Sequence, residues 1–150
     1  MPLKSYLAAT AVCAAFICAV PGQAQARDTF YMMPYKDVLA LPDAQQKLDP
    51  AIRMYFGDQV HPEIQTRRGG YFTERKTNSV TKSDEGACRW VALSALIDLQ
   101  ERARQVGANA IVNIVSYYDK RENSDNNRYE CHAGNVVAGV TLKGDMVTIK

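Results

Sequence analysis

Four side chains in this sequence could do chemistry together: Cys88, Cys131, His132 and His61. Two thiols and two imidazoles are a ligand set that zinc would accept, in a tetrahedron of sulfur and nitrogen. Their spacing does not seed such a site, because no Cys-x-x-Cys or His-x-x-x-His pair occurs. Cys131 and His132 are also neighbours, and neighbours on a strand point to opposite faces. The competing reading joins Cys88 to Cys131 in one disulfide, which would remove two ligands at once. Nucleophilic catalysis lacks a setting. Neither histidine lies in a recognisable serine or cysteine context, and a bridged cysteine cannot attack. The carboxylates Asp84-Glu85 read as charge at a helix N-terminus rather than as an acid–base pair. A phosphate-cradling loop needs clustered glycines followed by Gly-Lys-Ser/Thr. Gly69-Gly70 has no such sequel, and the one Lys-Gly, Lys143-Gly144, is reversed. Tyr117, Tyr118 and Tyr129 border a polar stretch, as a binding surface or as amphipathic cover. The expectation is a protein with no catalytic residue, no metal ligand and no cofactor.

The thiol question depends on where the protein works. Lys4 opens a positive region, an apolar run extends from Tyr6 to Val20, and Pro21-Gly22 breaks it. Ala24-Gln25-Ala26 then gives the small-x-small pattern that signal peptidase reads. The apolar run is shorter than the roughly 20 residues a spanning helix needs. Residues 1–26 are therefore expected to be a cleaved signal peptide and 27–150 a single periplasmic or secreted α+β domain, with no membrane span. Cys13 and Cys18 leave with the leader. Neither reads as a lipid-attachment site, since Val12 and Ile17 precede them where a small residue belongs. Cys88 and Cys131 remain, and two cysteines in an oxidising compartment read as a disulfide. Free or metal-binding thiols are the alternative. The formal net charge is +2, and falls by one with Lys4. So even a balance excludes a dedicated nucleic-acid binder, which needs a basic face.

The clearest element runs from about Asp84 to Val106. Ser83 or Asp84 can cap it, acidic residues open it, and Arg102 and Arg104 lie near its end. Gly107 stands where a left-handed terminating residue belongs. Cys88, Ala92, Ala95, Leu96, Leu99, Ala103 and Val106 recur at helical steps and predict a buried stripe. Trp90 falls off that stripe and reads as a flank packed on the N-terminal segment or on a partner, with core packing the favoured case. Before the helix, Phe30–Met33 is a short apolar stretch, and Tyr35–Leu41 spans one or two helical turns. Asp43 can cap another short helix to Leu48. Ile52, Met54 and Phe56 alternate as in a strand, and Tyr71–Thr77 reads as a second strand after a break at Arg68-Gly69-Gly70. After the helix, Ala110–Tyr118 is a central strand rich in β-branched residues. Asp119–Arg128 is a polar loop, and Tyr129–Leu142 is the last strand region, with Gly134 or Gly139 as possible bulge points. Lys143-Gly144-Asp145 is expected to turn the chain into a short tail. The sum is one long helix on an antiparallel sheet of about four strands, with Ile111, Ile114, Val136 and Val140 facing the helix.

Several segments carry a resemblance: Cys88-Arg89-Trp90, Leu99-Gln100-Glu101-Arg102-Ala103, Gly107-Ala108-Asn109-Ala110 and Tyr129-Glu130-Cys131-His132-Ala133-Gly134. With Tyr55-Phe56-Gly57-Asp58-Gln59 and Lys76-Thr77-Asn78-Ser79, they resemble a family of small exported bacterial proteins commonly labelled "excinuclease ATPase subunit". A repair ATPase is rich in nucleotide and zinc motifs, and this chain has none. The helix, the turn after it and the flanking strands are also similar to the YbjQ-like family and to the Rcs envelope-stress lipoprotein sensor. That resemblance implies a YbjQ-like, Rcs-sensor-like fold, with Cys88 and Cys131 at places comparable to the sensor's bridged cysteines. It also implies a non-catalytic envelope protein, working as an interaction or stress-sensing module on an envelope partner. A periplasmic metal-binding protein is the alternative. Edge strands would give it a route to homo-oligomers.

Overall fold

The structure, a computed structural model, describes residues 26–150. Apart from Ala26, the expected leader lies outside the described residues. Helix α3 (Asp84–Gln105) begins and ends as its sequence dictates. The Ser83 hydroxyl accepts a hydrogen bond from the Gly86 N–H at 3.1 Å, satisfying one of the first-turn donors. Asp84 and Glu85 occupy the first turn and Arg102 and Arg104 the last. Gly107 takes a left-handed φ of 70° just beyond, the conformation that stops a helix. The stripe from Cys88 to Ala103 is buried, and burial widens to Ala87, Val91, Leu93 and Gln100. The sheet covers α3, and α1 (Tyr35–Leu39) also packs on it.

The sheet has six strands where about four were expected. They are β1 (Thr29–Pro34), β2 (Arg53–Phe56), β3 (Ile64–Asn78), β4 (Ala110–Ser116), β5 (Arg128–Ala133) and β6 (Val137–Ile149). Their order is β1-β5-β6-β4-β2, with β3 on the other edge of β6. The sheet is not wholly antiparallel, because β2 runs parallel to β4. β6 forks along one edge. It pairs with β5 only at His132↔Gly139 and Ala133↔Ala138, then with β4 from Leu142 to Val147. The connection from β4 to β5 leaves through the fork, with Tyr117 N–H donating to the Thr141 carbonyl at 2.9 Å.

Two glycine signals misread the chain. Arg68-Gly69-Gly70 is no break, because β3 crosses it through a bulge between Arg67 and Gly69, with Gly69 at φ 102°. Lys143-Gly144-Asp145 is no turn, because β6 runs straight through it. A Cβ on Gly144 would lie 2.7 Å from Ile111 Cγ2. The glycine makes room for a β-branched neighbour and does not bend the backbone. The last strand region divides at Gly134, whose N–H bonds the Val137 carbonyl at 2.8 Å. Val136 sits on that turn, 57% exposed, and not in the core. Trp90 is 41% exposed, with the Lys47 ammonium 5.1 Å above its ring. Asp43 lies inside α2 (Pro42–Lys47), whose first residue is Pro42.

The core lies between α3 and one face of the sheet, where Leu96, Leu99, Ile111, Ile114, Val140, Leu142 and Met146 meet. Polar pins fix its margins. The buried Gln100 carboxamide accepts from Asp49 N–H and donates to the carbonyls of Asp49 and Ile52, all within 3.0 Å. Asp98 on α3 accepts from Thr73 and pairs with Arg75 at 2.8 Å, holding the inner face of β3 to the helix.

Two alanine substitutions separate room from strain. Gly144→Ala should cost about 1–3 kcal/mol, because Ile111 is packed and cannot swing away. At Gly139 the nearest atom to an added Cβ is 3.6 Å away, so Gly139→Ala should stay within about 0.5 kcal/mol of wild type. Urea unfolding of both variants checks this, and equal midpoints would contradict it.

Candidate functional site

Cys88 and Cys131 form a disulfide, with Cα atoms 5.9 Å apart and both residues fully buried. Alternation along β5 follows directly. Tyr129, Cys131 and Ala133 face the helix, while Glu130 and His132 face the other way. The bridge and the histidine therefore lie on opposite sides of one strand. His61 is elsewhere, on the connection from β2 to β3, its ring 5.6 Å from that of Tyr55. The four residues that could have gathered round a metal are thus dispersed, with both thiols bridged. Among the described residues no group of three or more histidine, cysteine or carboxylate side chains is arranged to hold an ion.

The outer face of the sheet, opposite α3, carries a different constellation. Phe72, Glu74 and Lys76 alternate outward on β3 while Thr73 and Arg75 face the helix. Gly139 and Thr141 alternate outward on β6 while Ala138, Val140 and Leu142 enter the core. His132 rises from β5. The segment leaving the fork folds over this surface and forms a short 3-10 turn at Tyr118–Lys120, with Asp119 and Lys120 both left-handed. These parts enclose an open cleft of about 520 Å³.

His132 is held on every side. Tyr118 lies flat on its ring, 3.6 Å between centroids and 13° between planes, and Phe30 meets it edge-on at 5.6 Å. Nδ1 faces Asp28 Oδ1 at 3.1 Å and Nε2 faces Glu130 Oε1 at 2.7 Å. Asn123 donates to the other Glu130 oxygen at 3.1 Å. A doubly protonated ring donates to both carboxylates, and a neutral ring has one N–H for the two. Both ring nitrogens thus lie within hydrogen-bond distance of carboxylate oxygens, and the ring serves as a flat wall. Burial first, then the charges of Asp28, Asp119 and Glu74, raise the Tyr118 pKa above its ordinary value, while Lys76 lowers it. Tyr118 therefore remains a hydroxyl donor at neutral pH. Phe72 packs at 5.5 Å from Tyr117, under the Lys143 ammonium.

The expected tyrosine group divides. Tyr117 and Tyr118 border the cleft, whereas Tyr129 is in the core beside Tyr35, and burial pushes its phenol pKa up. Asp84, read as helix-terminal charge, also accepts from Tyr31 at 2.8 Å and pairs with Arg27, tying β1 and the residues just before it to α3. Asp28, Phe30, Phe72, Glu74 and Gly139 had no motif to mark them. For Phe30, Phe72, Glu74 and Gly139 the one signal was outward alternation on strand segments, and Asp28, just before β1, had none. A second hollow of about 600 Å³ lies among Tyr35, Leu39, Met54, Phe56 and Asn126, with no histidine, cysteine or carboxylate in its lining. No helix among the described residues is long and apolar enough to cross a membrane. Comparison of the chain with protein-family models, curated proteins and solved structures finds no match.

The polar loop that walls the site is anchored by Asp125. Its carboxylate accepts from the N–H groups of Asn127 and Arg128 at 2.8 and 2.9 Å and from the Arg128 guanidinium. The Asn127 N–H is foremost in holding its pKa below the ordinary value. A depressed folded-state pKa adds stability above the unfolded value of about 3.9, and the gain is lost as pH falls through the folded value. Asp125→Asn keeps an acceptor and removes the charge. Wild type should therefore lose stability more steeply than the variant below about pH 4, and equal slopes in acid denaturation would contradict the assignment.

Proposed function

We propose that this chain is an exported, non-catalytic protein of the bacterial envelope, periplasmic or secreted. It works as an interaction or stress-sensing module whose contact surface is the outer face of the sheet. The observation that carries the reading is the fully buried Cys88–Cys131 bridge, a pairing that belongs to oxidising compartments. The leader pattern in residues 1–26 supports the same address. The resemblance to the small exported family and to the YbjQ-like and Rcs-sensor folds supports a role in contact and not in turnover. The two carboxylates set against the His132 nitrogens agree with that. An envelope protein is the partner this reading calls for. Among the described residues β1, β2 and β3 are each paired on one edge only, and such an edge is where a second copy would add.

The intact mass of the protein from its own exported fraction tests this reading. The expected species is the chain 27–150, one pair of hydrogens lighter than its reduced form, with no adduct under native conditions. Material confined to the cytoplasm with its leader attached would overturn the reading. Free thiols with a metal-sized adduct would replace it with a periplasmic metal-binding protein.

A further inference from the structure

The outer cleft combines a row of aromatic rings with walls of balanced charge, and together these select a ligand. Phe72 is 54% exposed. Beside it lies Tyr117, and Tyr118 lies flat on His132, so four rings line the cleft between β3 and β5. Such rings offer flat apolar plates that reward stacking by another ring. The surrounding charges are three of each sign: Arg27, Lys76 and Lys120 against Asp28, Glu74 and Asp119. An anion or a cation would meet a repelling group for each attracting one. A neutral ligand rich in hydroxyls satisfies both, since each hydroxyl donates and accepts. The volume of about 520 Å³ falls among small-molecule sites, which span about 300–1,000 Å³.

We propose that this cleft binds a neutral oligosaccharide. The C–H faces of its sugar rings lie on the aromatic row, and its hydroxyls bond the flanking carboxylates and ammonium groups. The inference rests on the outer face being the working surface, as proposed above, and adds the ligand class. Gly139 is the floor. A Cβ there meets only ordinary contacts with Lys76 and Arg75, so a larger side chain at this position would fill the cleft.

The protein, purified as it accumulates in cells and labelled with 15N, is titrated separately with maltotetraose, cellotetraose and N-acetylglucosamine tetraose. At least one should give saturable shifts at the backbone amides of His132, Gly139 and Thr141. Gly139→Val and, independently, Phe72→Ser should each weaken that binding at least tenfold; Phe72 is exposed, so its replacement leaves the core intact. No shift with any of the three up to about 10 mM would overturn the proposal. So would shifts confined to other residues, unchanged affinity in both variants, or tighter binding of the cationic glucosamine tetraose or of a galacturonate tetraose. Failure here and failure of the broader reading are distinguishable. A protein that ignores all three sugars but is exported with its bridge formed overturns the saccharide assignment alone. One that binds a sugar through these residues but stays in the cytoplasm with free thiols overturns the envelope role alone.

Discussion

β5 is joined to the rest of the sheet by two residue pairs with β6, and among the described residues β1 pairs with no strand but β5. The two strands form a wing whose own hydrogen bonds to the rest of the sheet are few. The Cys88–Cys131 bridge fastens this wing to the first turns of α3. It closes a loop with a sequence separation of 43, for which the chain-entropy model gives about 4 kcal/mol. In a domain of this size total stability is about 5–15 kcal/mol, so one bond supplies a large share. Asp28, Phe30, Glu130 and His132 all sit on this wing or just before it. Its attachment positions one wall of the cleft.

The opposite wall depends on a different kind of bond. β3 is an edge strand paired with β6 over its length, and Asp98 on α3 draws in Thr73 and Arg75 from its inner face. Alternation then leaves Phe72, Glu74 and Lys76 on the outer face, where Phe72 meets Tyr117. The roof comes from the β4–β5 connection, which leaves through the fork and is fixed by Tyr117, Ser116 and Asp125 to neighbouring backbone. The helix makes the fold, and among the described residues no second helix covers the other face, which leaves room for a site. Core and cleft share the same strands and use alternate residues of them.

Some of this was readable in the residues. The helix from Ser83 to Gly107 carries its caps, its charge bias and its stripe in sequence, because these depend on neighbours three and four positions away. The opposition of Cys131 and His132 followed from strand alternation alone. What could not be read depends on distant partners. Gly144 resembles a turn until Ile111 is placed against it, and Gly69-Gly70 resembles a break until β6 pairs across it. The two strands shortened in that way, β3 and β6, supply one wall and the floor of the cleft. Tyr118 and Tyr129 look alike in sequence, yet one stacks on His132 and the other is sealed in the core. Register decides which, and register is set by pairing between segments far apart in the chain.

The most direct test of the account is amide hydrogen exchange in the oxidised protein and in a Cys88→Ser, Cys131→Ser double variant. Exchange reports local opening segment by segment. The account predicts that residues 29–34 and 128–133 exchange at least about tenfold faster without the bridge, while α3, β3 and the second half of β6 keep most of their protection. Unchanged protection in the β1–β5 wing, or an equal loss everywhere, would contradict the claim that the bridge holds the wing and, through it, the site.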